Sequence, residues 1–159
     1  MMAQPEPKLA SLVVGWFSEE DAAVSAISAQ KDRLIDLARE FRSCLLVKQR
    51  RRRPALIVPA PVCVTQTGVR LALRDHSAEV AELERTGDVL LCFQGDDCFA
   101  WIRGSAALER RRPEVEEKWA TAFDDWFPKG PHDAGVCLAV ISCIEGEYWD
   151  YRGPGGLGH

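Results

Sequence analysis

The fold of this chain is decided by residues 99–150, which read FAWIRGSAALERRRPEVEEKWATAFDDWFPKGPHDAGVCLAVISCIEGEYWD. The stretch begins and ends with runs rich in β-branched and aromatic residues, at 99–108 and at 136–143 with a continuation to 149, which predict strands. Pro113 lies between them, where proline is typical of a first helical turn. The helix predicted after it carries one apolar stripe, formed by Val115, Trp119, Ala122, Phe123 and Trp126.

Four more strands are predicted upstream of this stretch. Each is a short apolar run, and turn signals such as QTG and GDD separate the runs. The four runs are residues 43–47, 55–60, 69–73 and 89–93. With the two strands above, the count is typical of a barrel of about six strands.

Two further helices are predicted from capping and periodicity. A capping box at Ser18 begins an amphipathic helix that ends near Arg42. Either Asp75 or Ser77 caps a short helix that ends before Gly87. The apolar face of the first helix consists of Val24, Ile27, Leu34, Ala38 and Phe41.

The length and composition predict one globular domain. The chain has 159 residues, of which 47% are hydrophobic and 28% charged. We expect an N-terminal arm over residues 1–17, a single domain over 18–152 and a flexible glycine-rich tail over 153–159. No run approaches the roughly 18 apolar residues of a membrane helix, and the N-terminus lacks the pattern of a signal peptide. We therefore expect a cytoplasmic protein without a membrane partner.

Charge and cysteine usage argue against two further classes, nucleic-acid-binding proteins and metalloproteins. The net charge of −4 argues against broad affinity for nucleic acid, although residues 48–53 (KQRRRR) form one dense basic patch without interleaved aromatics. The six cysteines form no CxxC pair and lie mostly in apolar runs, so we expect reduced, buried thiols and no metal site.

The order of features in residues 99–150 resembles the general stress protein 26-like branch of the pyridoxamine 5′-phosphate oxidase-like, FMN-binding split-barrel family. The similar features are a strand ending in Gly104 and a small residue, the WFPKGPHD loop and the closing EYWD. Upstream, Arg53-Pro54 resembles the family's Arg-Pro-Met, and LALRDHSAEVAEL resembles its strand, phosphate loop and helix. The resemblance covers roughly residues 30–152. It implies a mainly β, α+β fold: a six-stranded split β-barrel with short flanking helices and an N-terminal amphipathic helix.

The resemblance also implies a function. Family members usually form homodimers, and those that bind FMN hold it in a cleft between the subunits. The implied activity is that of an oxidoreductase in which a nicotinamide or another small molecule passes a hydride to the flavin. Arginine suits the FMN phosphate because its planar fork meets two phosphate oxygens at once. The implied cofactor-binding residues are Arg53, Pro54, Arg74, Ser77, Trp101 and Trp126; no catalytic residue is predicted.

Two positions depart from the family pattern. Glu79 stands where the family helix commonly carries a lysine near the phosphate, and Ala55 replaces the methionine after Arg-Pro. Three alternatives therefore remain beside the oxidoreductase: a flavin-binding protein without turnover, a degenerate, non-catalytic homodimeric module without flavin, and a nucleic-acid-binding protein that uses residues 48–53. The individual residues also have alternative roles. Arg53 can be a solvated charge, Ser77 an ordinary N-cap, and Trp101 and Trp126 can pack in the core or at a dimer interface.

Overall fold

The computed structural model describes residues 8–10 and 24–152, with side chains from residue 29 onward. The capping box predicted at Ser18, most of the arm predicted over 1–17 and the tail at 153–159 lie outside these residues.

Seven strands and three α-helices occur in the described part of the chain, along with two short 3₁₀ turns. The strands are β1 (Lys8–Ala10), β2 (Ser43–Arg50), β3 (Arg53–Thr65), β4 (Gly68–Arg74), β5 (Asp88–Gln94), β6 (Cys98–Glu109) and β7 (Val136–Asp150). The helices are α1 (Val24–Ala38), α2 (Ala78–Arg85) and α3 (Arg112–Glu117), and the 3₁₀ turns are Thr121–Phe123 and Gly130–His132.

Six of the strands close into the predicted barrel. Their order is β7-β4-β3-β2-β5-β6, and β6 pairs with β7, which closes the ring. All neighbouring strands are antiparallel. Residues 136–141 of β7 pair with β4 on one edge, while β6 follows nearly the whole length of the other edge. Beyond 141 the first edge is taken by β1, which pairs with residues 148–150. Barrel closure therefore depends on β7.

Alternating burial explains why these segments are strands. On β2 the side chains of Cys44 and Leu46 point into the barrel, and Leu45 between them is exposed. Helix α1 closes one end of the barrel, where Leu34 is fully buried and Tyr148 Oη donates a hydrogen bond to Gln30 Oε1 at 2.8 Å. No helix in the described residues is long and apolar enough to cross a membrane.

A second apolar cluster lies outside the barrel. Phe123 and Phe127, from the segment after α3, pack with Ala72 of β4 and Leu138 of β7. The helix predicted after Pro113 is consequently shorter than its apolar stripe indicates. It ends at Glu117, because the extended backbone of Ala120 turns the aromatic side chains down onto the outer face of the sheet.

Lys48 is a correction to the predicted basic patch. Its side chain is 1% exposed because it follows the inward alternation of β2. The ammonium donates to the carbonyl and the hydroxyl of Thr86, each at 2.7 Å, and to the Asp88 carbonyl. These bonds tie the end of α2 to the barrel wall. The hydrogen bond from Thr86, followed by that from Lys48, lowers the pKa of Asp88 below its ordinary value.

Gly104 gives a test of barrel closure. A Cβ at this position would lie 2.5 Å from the Ser142 carbonyl oxygen and 2.7 Å from Ile141 Cγ2, at the register shift between β6 and β7. Gly104→Ala should lower the free energy of unfolding by about 1–3 kcal/mol, because the added methyl overpacks a strand crossing. Urea unfolding measures the loss. Ser105→Ala, on the exposed face of the same strand, is the control, and equal stability of the two variants would contradict the close approach.

Candidate functional site

A cleft of about 190 Å³ opens on the outer face of the barrel, between the β3–β4 sheet and the segment that follows α3. The strands contribute one wall, and the start of α2 and the 3₁₀ segment contribute the others. Its lining includes the apolar or charged side chains of Pro59, Pro61, Arg74, Glu79, Trp126 and Phe127.

Arg74 is held in a defined position in this cleft. It is the last residue of β4, and its guanidinium carbon lies 4.8 Å from the centroid of the Phe127 ring, as in a cation–π contact. Its Nη1 is 3.3 Å from Asp133 Oδ2. The backbone N–H of Gly135 donates to Asp133 Oδ1, and with Arg74 it keeps the pKa of Asp133 below its ordinary value. The side chain of Arg74 is 58% exposed, and one of its guanidinium nitrogens is used by Asp133, so further N–H groups can bind a ligand.

Two carboxylates lie near this arginine. Glu79, in the first turn of α2, lines the cleft, and Asp133 pairs with Arg74. Lys129 also helps to keep the pKa of Asp133 low, so two cations balance Asp133, and Glu79 is the carboxylate in the lining of the cleft itself. At an effective dielectric of about 20, two unit charges about 4 Å apart interact by about 4 kcal/mol, so the position of Glu79 matters for any anionic ligand.

Trp126 supplies a flat apolar surface at the mouth of the cleft. It is 42% exposed, whereas its neighbour Phe127 is buried. Trp119 contacts Phe123 and Phe127 edge to face and anchors the segment, and its indole N–H donates to Asp124 at 2.8 Å. The exposed indole is thus presented from a well-packed support.

Ser77 serves as the N-cap of α2 and lies in a neighbouring cleft. Its Oγ accepts a hydrogen bond of 3.4 Å from the Val80 N–H. That cleft, of about 610 Å³, also contains Arg110 with Asp75 and Glu84. This cleft is larger than the Arg74 cleft. Its arginine, Arg110, already pairs with both carboxylates, so fewer of its N–H groups are available to bind an anion.

The structure does not bring Arg53, Pro54 or Trp101 to Arg74 within one chain. Arg53 and Pro54 are exposed at the start of β3, and the six steps along the strand from Arg53 to Pro59 span about 20 Å. Trp101 lies half-buried on β6, three strands from β3, which corresponds to about 14 Å.

Three residues in or beside the cleft were not predicted from the sequence. Asp133, beside the cleft, has a recognisable signal, because an aspartate two residues before Gly135 is typical of a turn in which the side chain binds the backbone. Pro59 and Pro61 have none, since the sheet register alone brings them to the cleft.

The cysteines and other potential metal ligands form no further site in the part of the chain that the structure describes. All six cysteines are free thiols. Burial raises the pKa of Cys44 to about 12 and the pKa values of Cys137 and Cys143 to about 11, so these thiols are protonated at neutral pH and are poor nucleophiles. Within residues 8–10 and 24–152, no three His, Cys, Asp or Glu side chains lie together in a way that could hold a metal ion.

The sequence matches the model of one protein family. Residues 29–155 match the family described as pyridoxamine 5′-phosphate oxidase like, which is most of the chain. No curated protein matches the sequence significantly.

Solved structures share the fold at low sequence identity. A protein related to general stress protein 26, from Clostridium acetobutylicum, has a TM-score of 0.65 at 15% identity, over 76% of this chain and 89% of that one. A general stress FMN/FAD binding protein from Xanthomonas citri has a TM-score of 0.62 at 18% identity, over 78% and 89%. General stress protein 26 from Bacillus anthracis has a TM-score of 0.60 at 14% identity, over 74% and 92%.

Proposed function

The chain belongs to the pyridoxamine 5′-phosphate oxidase-like family, and from that premise we propose that it is a homodimeric, FMN-binding oxidoreductase of the cytoplasm. The observation that carries the proposal is the cleft in which a fixed guanidinium, Arg74, lies beside an exposed indole, Trp126. Among the proteins of this fold, the one from Xanthomonas citri is an FMN/FAD binding protein. Six free cysteines suit the reducing compartment.

The cleft has the two types of residue that flavin mononucleotide would need, apolar side chains for its ring and a cation for its phosphate. The apolar wall of Pro59, Pro61 and Trp126 would pack against a planar ring, and Arg74 would hold a phosphate oxygen through a charge-assisted hydrogen bond. When bound, the flavin supplies the ring that accepts a hydride. The role of the chain is to orient that ring, to bind its tail and to exclude water from one side. No acid–base pair is needed for such a role.

The cleft of a single chain covers only part of such a ligand. Its volume of about 190 Å³ is below the roughly 300–1,000 Å³ of typical ligand pockets, so a second surface has to complete it. A second copy of the chain fits this need, because the outer faces of β2, β3, β5 and β6 form an apolar surface next to the cleft. We define this outer apolar face by Leu45, Val47, Ile57, Leu90, Cys92 and Trp101.

Exposure supports the use of this face as an interface between copies. Ile57 is 57% exposed and Leu45 is 41% exposed, and they lie on adjacent strands. Contiguous exposed apolar surface of this kind marks interaction sites, and a two-fold dimer buries one such patch against its own copy.

A second candidate function is a homodimeric module without flavin. The observation that favours it is Glu79, which places a carboxylate in the cleft wall close to the phosphate-binding arginine. The two functions differ in whether the purified protein binds any flavin at all.

Substitution at Glu79 separates the two functions. If the FMN phosphate lies between Arg74 and the start of α2, Glu79→Lys should tighten FMN binding at least tenfold, or about 1.4 kcal/mol, and leave riboflavin binding nearly unchanged. Arg74→Ala should weaken FMN much more than riboflavin. Calorimetric titration of both ligands measures these effects. Equal effects on both ligands would show that the phosphate lies elsewhere, and no binding by any variant would favour the module without flavin.

The oxidoreductase activity has its own test. Under anaerobic conditions, a reduced nicotinamide added to the FMN-loaded protein should bleach the visible absorbance of the oxidised flavin. Dithionite, a chemical reductant, is the control for a reducible flavin. Bleaching by dithionite alone would identify a flavin-binding protein without nicotinamide turnover.

The homodimer is tested by a charge on the outer apolar face. The wild-type protein should sediment as a dimer at micromolar concentration, and Ile57→Lys should shift it towards the monomer, because a buried unpaired charge is costly at an interface. Gln66→Lys, at the exposed β3–β4 turn, is the control and should leave the dimer intact. A monomeric wild type would contradict the shared cleft.

A further inference from the structure

Arg112, the first residue of α3, uses its whole guanidinium on the backbone. Its Nη1 donates to the carbonyls of Asp133 at 2.7 Å and of Pro131 at 3.1 Å. Its Nη2 donates to the carbonyls of Val136 at 2.6 Å and of Arg110 at 3.0 Å, and its Nε donates to the Arg110 carbonyl at 3.3 Å. An arginine has five N–H groups, so these bonds leave none of them for a ligand.

Three of the bonded carbonyls belong to a segment with little regular structure of its own. Residues 128–135 connect the second apolar cluster to β7 and contain only the 3₁₀ turn Gly130–His132. Gly130, with a φ of 68°, and Gly135 make the backbone of this segment permissive. Because neither a strand nor an α-helix fixes residues 128–135, their shape depends on the bonds that Arg112 makes to them and to Val136.

The segment that Arg112 holds determines the position of Arg74. Asp133 Oδ2 lies 3.3 Å from Arg74 Nη1, and Val136 is the direct partner of Arg74 in the register of β4 and β7. The Gly135 carbonyl accepts a hydrogen bond of 2.9 Å from the backbone N–H of Asp75, the residue after Arg74. The direction of the Arg74 guanidinium therefore depends on backbone that Arg112 fixes.

The contacts of Arg112 also extend to the wall of the cleft that α2 forms. Arg110, whose carbonyl Arg112 binds, pairs through its own side chain with Asp75 before α2 and with Glu84 in the last part of α2. Helix α2 carries Glu79, which lines the cleft. The positions of Arg74 and of Glu79 thus both depend on the short connection between β6 and α3.

From these contacts we infer that Arg112 is a positioning residue of the proposed flavin site. It fixes residues 131–136 so that Asp133 binds one edge of the Arg74 guanidinium and the other N–H groups face the phosphate. This inference rests on the proposed flavin binding. Arg112 acts through Arg74 and not by contact with the ligand, because backbone carbonyls occupy all of its N–H groups.

Arg112→Lys tests positioning against charge. Lysine keeps the positive charge but presents its donors at one point and not in a planar fork, so it cannot bind four carbonyls at once. In calorimetric titration, FMN affinity should fall at least tenfold and riboflavin affinity should change little. Arg111→Lys is the matched control and should change neither, because Arg111 is 79% exposed and pairs with Glu114 of its own helix. An Arg112→Lys variant that binds FMN as the wild type does overturns the inference.

A double-substitution cycle tests whether Arg112 acts through Arg74. In a chain that already carries Arg74→Ala, Arg112→Lys should weaken FMN binding little further, because effects that act through one shared residue are not additive. Additive losses would show that Arg112 affects the phosphate independently of Arg74 and would overturn the inference. An equal loss of FMN and riboflavin affinity in Arg112→Lys would also overturn it, since it would indicate damage to the cleft as a whole.

Hydrogen exchange tests the geometry without any flavin. The amide of Gly135 donates to Asp133 Oδ1, and the amide of Asp75 donates to the Gly135 carbonyl, each at 2.9 Å. Both amides should be protected in the wild type, and Arg112→Lys should speed their exchange at least tenfold. The amide of Leu91, in the buried barrel wall, is the control and should not change. Wild-type amides of Gly135 and Asp75 that exchange as fast as in an unstructured peptide overturn the inference, whether or not the variant folds.

The outcomes separate this inference from the proposed function. A wild type that binds neither FMN nor riboflavin overturns the proposed function, and the role of Arg112 in phosphate binding with it. A wild type that binds FMN, together with an Arg112→Lys variant of unchanged FMN affinity or unchanged amide exchange at Gly135, overturns the inference alone.

Discussion

Strand β7 pairs along both of its edges, and the rest of the structure depends on that pairing. One edge follows β6 from Leu138 to Asp150, and the other is shared between β4 and β1. Two glycines permit this closure: Gly104 lies against the Ser142 carbonyl, and Gly146 leaves room for Leu34 of α1. A closed barrel has no free edge and fills its interior with side chains. Any binding site must therefore lie outside the barrel wall.

The outer face of the sheet has two parts, one covered by other residues of the chain and one open. Over β4 and β7 it is covered by the second apolar cluster, which presents Trp126 and fixes Phe127 beneath Arg74. Over β2, β3, β5 and β6 it carries the outer apolar face, of which Leu45 and Ile57 are exposed and the other residues are partly buried in the described chain. The cleft lies at the boundary between the covered part and the open part. A partner on the open part therefore borders the cleft directly, which is why ligand binding and self-association are proposed as one property of this surface.

The sequence allowed most of the fold to be predicted and less of the site. Strand alternation and turn signals located all six barrel strands, because each strand has one face in the core, although β3 continues to Thr65, five residues beyond its predicted end. The inward turn of Lys48 was missed, since a lysine beside four arginines reads as surface charge. The neighbours of Arg74 could be placed only in part: Trp126 belongs to a recognisable loop, but Pro59 reaches the cleft through the sheet register, which is a property of the tertiary structure.

In the proposed homodimer, two copies of the chain build each binding site together. The most direct measurement uses the thermodynamic linkage between ligand binding and dimer assembly. Sedimentation determines the dimer dissociation constant with saturating FMN, with saturating riboflavin and without ligand. Binding and assembly affect each other equally when the ligand contacts both chains. The account predicts that FMN lowers the dissociation constant at least tenfold and riboflavin lowers it less, because the phosphate that riboflavin lacks would lie where the two chains meet. A dissociation constant that saturating FMN leaves unchanged would contradict the shared site.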